Sequence, residues 1–385
     1  MNNLNNILRL VSRTRILSAN HGKHSGILQQ LAKRSTSTSI YQKIKEKEVF
    51  HDALPGIIDS LIASPKISQL PEVGQWLRKV FEHNLSGGKH SRGLMTMFAY
   101  EMLEKPENIT EEYLKLSRVL GWCTEILQGY FLIIDDIMDA STTRRGTTCW
   151  YLMPNVGMGA INDTVLLNSC ITEILETYFL KTAHFTDLVR IFHEAILYTS
   201  MGQHIDFTMG QRNKHDYSLF TVDRYNTIVQ HKTSYYTFRL PMMLGLSLVK
   251  DVDKKIYSNV QDISFKLGNL FQIQDDYIDC YGDAAVTGKV GTDIQEGKCS
   301  WLAVTALQLC NKEQKDLFTK NYASTEPENV ASIKNLYNEL RLPELYKQKE
   351  KKLHDEIISH VESLPSSISP NFFYKLLEGI YERKH

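Results

Sequence analysis

Two aspartate-rich segments, each at the end of a long apolar helical repeat, constrain this sequence more than any other feature. Residues 135–139 read Asp-Asp-Ile-Met-Asp and residues 275–279 read Asp-Asp-Tyr-Ile-Asp. On a helix the first and fifth positions lie one turn apart, so each segment presents two stacked carboxylates on one face. Such carboxylates repel each other, and leaving them buried and unpaired is costly. The sequence therefore predicts that a cation binds at each segment.

The ligand chemistry of these segments indicates which cation. Oxygen ligands without His or Cys favour Mg²⁺ or Mn²⁺. Mg²⁺ usually takes one or two carboxylates and completes its shell with water and substrate phosphate. The alternative is a pair of exposed acidic helix ends satisfied by water or lysines. The repetition of the motif at the ends of two apolar helices favours the metal site.

Apolar periodicity predicts an all-α fold. Between residues 114 and 134, and again between 256 and 271, apolar side chains recur three or four positions apart, as on one face of a helix. We expect one large helical bundle, because no βαβ alternation, repeat or linker is evident. Pro241 should kink one helix. Further predicted helices span 162–182, 185–210, 221–247, 298–312, 330–340, 344–362 and 371–383.

Charge separates the N-terminus from the rest of the chain. Residues 1–45 hold eight of the 44 basic residues and no acidic one, so the remainder carries 36 basic against 44 acidic residues. The basic, Ser-rich, amphipathic start predicts a mitochondrial transit peptide over residues 1–40, and the alternative is a solvated tail in a cytoplasmic protein. The fold is then expected over residues 41–385, where an acidic body disfavours nucleic acid.

Two simple structural classes are disfavoured by the same composition. No apolar run reaches the length of a membrane span. The six cysteines form no CxxC pair, and they read as isolated buried thiols rather than a disulfide framework or zinc site.

Basic side chains near the acidic segments suggest a phosphate pocket. Residues 87–89 read Gly-Gly-Lys, a loop whose backbone can approach an anion closely, and Arg92 lies one turn beyond Lys89. The other basic candidates follow an aspartate segment or lie on a helix between the two, namely Arg144, Arg145, Lys232, Lys289 and Lys298. Each alone is most often a solvated surface charge.

Together these motifs resemble the short-chain trans-prenyltransferases, and most closely the animal farnesyl diphosphate synthases, over residues 45–385. The resemblance also includes Gly202-Gln203 with Asp206, Lys232-Thr233, and Phe271-Gln272 before the second aspartate segment. It implies a bundle of the isoprenoid synthase type and a homodimer that works in isoprenoid lipid biosynthesis. The implied transferase reaction is Mg²⁺-dependent, head-to-tail condensation of isopentenyl diphosphate with dimethylallyl and geranyl diphosphate to give farnesyl diphosphate.

The resemblance also assigns roles to residues. Metal ligands would be Asp135, Asp139 and Asp275. The allylic diphosphate would be bound by Arg144, Lys232, Lys289 and Lys298. Isopentenyl diphosphate would be bound by Lys89, Arg92, Gln128 and Arg145. The catalytic side chains near the reacting carbons would be Lys232, Thr233 and Gln272. Arg383 and Lys384 would close over the second substrate.

Product length has a physical basis in the first long helix. Phe131 lies one turn before Asp135, and Tyr130 adjoins it, so their rings should form a floor below the diphosphate. The alternative is two ordinary core aromatics. Relative to the family, Tyr130 replaces a frequent Phe, Ser91 a frequent Asn, and Arg239 a frequent aromatic residue.

Three other functions compete with this interpretation. A geranyl diphosphate synthase would stop the same chemistry at C10. A terpene synthase derived from this fold would ionise a prenyl diphosphate and would not need the second diphosphate site, yet Lys89, Arg92, Gln128 and Arg145 are present. A non-catalytic partner subunit would tolerate loss of the aspartates, and both segments are intact.

Overall fold

The computed structural model describes residues 38–211, 215–283, 291–366 and 368–381, with side chains described from residue 47 onward. The chain divides into two units, Met1–Asp52 and Ala53–His385. In the first unit the described residues, 38–52, are entirely helical. The second unit contains both aspartate segments. The predicted transit peptide lies almost wholly outside the described residues, so it stays a prediction.

Nearly all regular structure is helical, which confirms the predicted fold class. The first eight α-helices are α1 Thr38–Ile62, α2 Pro71–Leu85, α3 Ser91–Leu103, α4 Glu111–Met138, α5 Ala160–Phe179, α6 Phe185–Gln211, α7 Val222–Ile228 and α8 Leu240–Ser247. They are followed by α9 Lys254–Tyr281, α10 Asp293–Glu296, α11 Trp301–Leu309, α12 Lys312–Asn321, α13 Pro327–Glu339, α14 Leu342–Glu362 and α15 Asn371–Ile380. Short 3₁₀ turns occur at Pro106–Asn108, Trp150–Leu152, Gly157–Gly159 and Tyr217–Leu219.

The helices that carry the aspartate segments lie at the centre of the packing. α4 packs against α3 and α5, whereas α9 packs against α14 and against a π-helix at Val229–Arg239. The buried side of α9 from Ile256 to Ile273 is apolar apart from Ser264. None of the described helices is long and apolar enough to cross a bilayer.

The predicted helix 221–247 is three consecutive segments rather than one kinked helix. α7 continues directly into the π-helix, which gives way to α8 at Leu240. Pro241 lies in the first turn of α8, directly after the π-helix, and it has no N–H to donate to the preceding turn. The break expected at Pro241 is therefore a change of helix type, and a π segment is typical of functional sites.

The predicted helix 298–312 was wrong in its extent. Ser300 caps α11, which ends at Leu309, and Asn311 begins α12 with a reciprocal capping box to Gln314. The capping box satisfies the backbone donors of a new helix start and divides the apolar run. All six cysteines are free and buried, as predicted.

A two-residue hairpin follows α4, and the periodicity analysis missed it. Strand β1 (Thr143–Arg144) pairs with β2 (Thr147–Thr148) in antiparallel register. Arg145 and Gly146 form the turn with φ of 53° and 76°. Positive φ at both central residues is the geometry of a type I′ turn, which matches the twist of the flanking strands. The hairpin turns the chain back toward the end of α4.

Candidate active site

The first aspartate segment lies at the C-terminal end of α4. Thr110 caps the helix start, and the apolar line through Leu127 continues to Phe131 and Asp135. α4 ends at Met138, and the Asp139 N–H still donates to the Asp135 carbonyl at 2.9 Å. Asp135 and Asp139 therefore follow each other by one helical turn, as the spacing predicted.

Arg144 folds back from the hairpin onto this segment. Its Nη2 lies 2.5 Å from Asp136 Oδ1 and 3.4 Å from Asp135 Oδ2, and its Nε also donates to Asp136. Burial alone would lower the pKa of Arg144, but the Asp136 carboxylate outweighs burial and raises it. Asp136 itself is buried, so this central aspartate serves to hold the hairpin.

Lys232 on the π-helix faces the same segment. Its Nζ lies 2.5 Å from Asp206 Oδ2 on α6 and 3.7 Å from Asp135 Oδ1. Burial opposes its charge, but Asp206 and then Asp135 raise the pKa of Lys232 above its ordinary value. Burial likewise opposes ionisation of Asp206, yet the two lysines Lys232 and Lys298 lower its pKa. The pair is therefore charged near neutral pH.

The negative charge of the neighbouring Asp139 is less well compensated by cations. Desolvation, followed by the charge of Asp135, raises the pKa of Asp139 to about 6, against a smaller opposing effect of Lys232. Gln203 Nε2 on α6 donates to Asp135 Oδ1 at 3.0 Å and fixes that carboxylate. The Asp135–Asp139 pair thus keeps an excess of negative charge, as a cation site requires.

The second aspartate segment lies within the last turns of α9, which continues to Tyr281. Asp276 is buried and accepts the Trp301 N–H at the start of α11 at 2.7 Å. Asp279 accepts the Asp293 N–H at the start of α10 at 3.0 Å. A side chain at Gly291 would collide with the Asp279 carbonyl, since its Cβ would lie 1.8 Å away. Asp276 and Asp279 thus bind the chain that returns to the site.

A half-buried cation lies among the acidic groups of this segment. Lys298 Nζ donates to Asp293 Oδ1 at 3.3 Å. Burial opposes its charge, but Asp293, Asp276 and Asp206 together raise the pKa of Lys298 well above its ordinary value. Burial raises the pKa of Asp276, and that of Asp293 still further, against the effect of Lys298. Lys298 and Lys232 both act on Asp206, so these cations connect the two acidic segments.

A hydrogen-bonded line joins the π-helix to the second segment. Thr233 Oγ1 donates to Gln272 Oε1 at 2.7 Å, and Gln272 Nε2 donates to Asp276 Oδ1 at 2.9 Å. The three predicted catalytic residues therefore lie between the two aspartate segments. Lys232 contacts Asp135 of the first, and Thr233 is linked through Gln272 to Asp276 of the second.

The basic loop of residues 86–90 lies between α2 and α3. Gly87 and Gly88 have φ of 74° and 80°, which strains any other residue. A Cβ at Gly88 would lie 2.7 Å from the Arg145 guanidinium carbon, and Arg145 Nη1 donates to the Gly87 carbonyl at 3.3 Å. His90 anchors the loop through its Nε2 and the Leu85 carbonyl, 2.9 Å apart. The turn of the hairpin and the Gly-Gly-Lys loop are therefore in contact.

The start of α3, directly after this loop, is held by Arg92 and by Glu125 from α4. Arg92 Nη2 donates to Tyr236 Oη at 2.9 Å and to Thr237 Oγ1 at 2.8 Å, and its guanidinium lies over the Tyr236 ring. The buried Glu125 on α4 accepts the Gly93 N–H at 2.7 Å. The sequence analysis missed Glu125, because a helix start capped from another helix leaves no local signal.

The predicted floor is an aromatic cluster. The Tyr130 and Phe131 rings lie 4.8 Å apart, and Phe131 lies 5.7 Å from Tyr236. Burial raises the pKa of the Tyr130 phenol, and its hydrogen bond with Ser200 opposes that shift. Both rings are half-buried rather than part of the closed core. Tyr236 connects the floor to Arg92.

The remaining predicted residues differ in how far the structure places them. Lys89 is exposed on the loop, and Gln128 is half-buried on α4. Asp275 is half-buried on α9 beside the Asp276 network. Lys289, Arg383 and Lys384 lie outside the described residues. The roles assigned to all of these side chains stay predictions.

The acidic groups fit a divalent metal that shares its shell with substrate. Within the described ranges, no three His, Cys, Asp or Glu side chains converge as a closed metal cage. The available ligands are carboxylate oxygens on the two segments. This pattern suits an ion that binds few protein carboxylates and takes further ligands from phosphate and water.

An all-α bundle with two acidic segments linked through lysines, beside a basic Gly-rich loop, defines the class of enzymes that process prenyl diphosphates. A family model described as polyprenyl synthetase matches residues 74–340. The chain belongs to this family and is a prenyltransferase.

Relatives and solved structures agree with this assignment. A farnesyl pyrophosphate synthase of Panax ginseng is 40% identical over 84% of this chain and 94% of its own length. The Bos taurus farnesyl pyrophosphate synthase is 39% identical over 82% and 90%. The T. brucei farnesyl diphosphate synthase complexed with risedronate is 34% identical, with a TM-score of 0.79, and covers 88% of this chain and 100% of its own.

Proposed function

We propose that this prenyltransferase is a farnesyl diphosphate synthase, which condenses isopentenyl diphosphate first with dimethylallyl and then with geranyl diphosphate. The observation that carries the proposal is that two adjacent arginines join the two regions assigned to diphosphate: Arg145 contacts the Gly-Gly-Lys loop, and Arg144 contacts Asp135 and Asp136. Two diphosphates bound in this way would bring their carbon chains together. The named relatives above support the same product.

The acidic side of the site would bind the allylic substrate. Asp135, Asp139 and Asp275 would hold Mg²⁺, or Mn²⁺, which supplies positive charge to the departing diphosphate. Lys232 and Lys298, together with Arg144 and Lys289, would stabilise the same charge as the allylic C–O bond breaks and its electron pair leaves with the diphosphate. The Tyr236 ring would stabilise the allylic cation that remains.

The basic side would bind isopentenyl diphosphate. Lys89, Arg92, Gln128 and Arg145 would hold its diphosphate, so that its double bond attacks the allylic cation. The new carbon–carbon bond leaves a cation that loses a proton to the released diphosphate. Thr233 Oγ1 and Gln272 Oε1 lie 2.7 Å apart. Both side chains would line the reacting carbons, where water must be excluded.

One assay tests this function and its rivals. Protein lacking residues 1–40 is incubated with Mg²⁺, isopentenyl diphosphate and dimethylallyl diphosphate, and the products are identified by mass. A C15 diphosphate supports the proposal, whereas a C10 diphosphate indicates a geranyl diphosphate synthase. A hydrocarbon or alcohol formed from added farnesyl diphosphate, without condensation, would indicate a terpene synthase. A lack of any turnover would favour the non-catalytic subunit.

The aromatic floor provides a separate test of product length. Phe131→Ala removes the ring between Tyr130 and Tyr236 and opens space below the first aspartate segment. We expect products longer than C15, because the growing tail no longer meets the floor. The control is Phe265→Leu, an aromatic residue that packs on Tyr235 away from the floor. An unchanged product spectrum for Phe131→Ala contradicts the floor.

We also propose that the enzyme is a homodimer. Large apolar side chains are exposed on α5 and α6, which pack on each other, and on the 3₁₀ turn before α5, namely Met158, Ile161, Val165, Leu197 and Met201. Exposed apolar side chains on two helices that pack together support an interaction surface here, because large apolar patches on a soluble protein mark such surfaces. Sedimentation at micromolar concentration should give twice the chain mass of 44.3 kDa, and Val165→Glu with Leu197→Glu should give monomers. A monomeric wild type contradicts the proposal.

The acid-free N-terminal segment supports import into mitochondria. The full chain fused to a C-terminal fluorescent protein should co-localise with a mitochondrial marker, because the membrane potential draws a cationic helix inward. The same fusion lacking residues 1–40 should remain in the cytosol. Equal distribution of the two fusions would contradict the targeting role.

A further inference from the structure

Arg239, the last residue of the π-helix, is a buried side chain with two half-buried polar partners. Its Nη2 lies 3.1 and 3.2 Å from the two carboxylate oxygens of Glu194 on α6. Its Nε donates to Gln261 Oε1 on α9 at 2.8 Å, and its guanidinium lies 5.2 Å from the Tyr235 ring centre. The residue is 8% exposed. A buried guanidinium with this many directed contacts fixes the position of its backbone.

The two partners of Arg239 belong to the helices that complete the site. α6 also carries Gln203 and Asp206, and α9 also carries Gln272 and the second aspartate segment. The π-helix is confined between these helices, because a Cβ at Gly202 on α6 would lie 2.2 Å from the Lys232 nitrogen. A Cβ at Gly268 on α9 would lie 2.0 Å from Ser234 Oγ.

The winding of this segment decides which side chains face the site. Lys232 and Thr233 contact Asp206 and Gln272, and Tyr236 and Thr237, four residues later in each case, contact Arg92. The wider turn of a π-helix keeps residues four and five apart on one side. Relaxation to an α-helix would rotate Lys232 and Thr233 relative to Tyr236 and Thr237. Both diphosphate sites therefore depend on one backbone register.

We propose that Arg239 is a positioning residue for the prenyl transfer reaction. Its bonds to Glu194 and Gln261 tie the end of the π-helix to α6 and α9 and hold the register that aims Lys232 and Thr233 at the allylic diphosphate. The same register aims Tyr236 and Thr237 at Arg92. This inference rests on the proposed roles of Lys232, Thr233 and Arg92.

Steady-state kinetics of Arg239→Met test the proposal. Methionine keeps the length and packing of the side chain but removes the donors. We expect kcat to fall on the order of 10- to 100-fold, because small displacements of reacting groups have effects of this size. The KM for isopentenyl diphosphate should rise in the same variant, because Arg92 loses aligned partners. Arg239→Lys, which keeps the charge beside Glu194, should recover part of both losses.

Milder variants separate positioning from stability. Glu194→Gln and Gln261→Met each remove one partner and leave Arg239 in place, and their effects with Arg239→Met should be less than additive. Arg190→Gln is the matched control, because Arg190 forms an exposed ion pair with Asp187 on the same helix as Glu194. A lowered melting temperature with wild-type kcat and KM in Arg239→Met, Glu194→Gln and Gln261→Met would overturn the proposal.

Hydrogen exchange gives a readout that does not depend on the reaction. In Arg239→Met, Glu194→Gln and Gln261→Met, amides of residues 229–239 should exchange faster than in the wild type, while those of α12, which packs on α13, stay unchanged. Unchanged exchange in residues 229–239 would overturn the register argument even if activity falls. If the wild type forms no prenyl diphosphate, the proposed function fails, and the exchange result still decides whether Arg239 holds the segment.

Discussion

The two aspartate segments have nearly the same sequence but divide their carboxylates differently. In the first, only the central Asp136 is committed to a structural partner by burial, and that partner is the side chain of Arg144. In the second, Asp276 and Asp279 accept backbone N–H groups at the starts of two later helices. The first segment therefore holds one arginine, whereas the second organises the returning chain.

This difference shows that a motif fixes the positions of carboxylates but not their use. An i, i+4 pair brings two side chains together wherever it lies on a helix. What each carboxylate does depends on whether a donor reaches it, and the donors here come from Arg144 and from residues 293–301. A metal would take the negative charge that these donors, together with Gln203 and Lys232, leave on Asp135 and Asp139.

The largest expected effect separates metal-binding from structural aspartates. Asp135→Asn and Asp275→Asn should each lower turnover about 10²- to 10⁴-fold, since loss of metal charge removes several kcal/mol of transition-state stabilisation. The free energy of unfolding of both variants should lie within about 0.5 kcal/mol of the wild-type value, because neither side chain caps a helix. Asp355→Asn on the exposed face of α14 is the control. Near-normal turnover in both variants would remove these residues from the metal site.

A second, smaller effect compares the central aspartates directly. Asp276→Ala should lower the free energy of unfolding by about 3–5 kcal/mol, because this buried carboxylate is the partner of the Trp301 N–H and the Gln272 amide and also stabilises the charge of the half-buried Lys298. Asp136→Ala should cost about 1–3 kcal/mol, because Arg144 is 37% exposed and retains Asp135 and water. Urea unfolding measures the loss of unfolding free energy in both variants. A larger loss in Asp136→Ala than in Asp276→Ala would contradict the difference between the two segments.

The sequence was sufficient to predict helices, their apolar faces and the acidic motifs, because these depend on local spacing. α4 extends the periodic segment 114–134 by three and four residues, and α9 extends 256–271 by two residues at its start and by ten at its end, through the second aspartate segment. The sequence was not sufficient to predict hydrogen-bond partners that lie far apart along the chain. Gln274 interrupts the apolar stripe of α9, yet it is fully buried and donates to Glu350 on α14 and to the Ile380 carbonyl.

Arg239 shows the same limit at a single residue. As a departure from the family pattern it had no physical explanation, because Glu194 lies 45 residues before it and Gln261 lies 22 residues after it. The π-helix was missed for a related reason, since its sequence has an ordinary helical pattern. Close contacts at Gly202 and Gly268 accompany it, and those contacts exist only in the folded packing.

The smallest expected effect concerns the pH dependence of the first segment. Asp139 has a pKa raised to about 6, so its carboxylate is fully available above pH 7 and is lost as the pH falls through 6. Protonation competes with metal binding, so the apparent Kd for Mn²⁺ should rise about fourfold between pH 7.5 and pH 5.5 through this group alone. Electron paramagnetic resonance of free Mn²⁺ measures that change. In Asp139→Asn binding should be weaker, and this fourfold contribution should be absent from its pH dependence. A Kd that is constant between the two pH values in the wild type would exclude Asp139 as a metal ligand, and the first segment would then resemble the second in using its last carboxylate for structure.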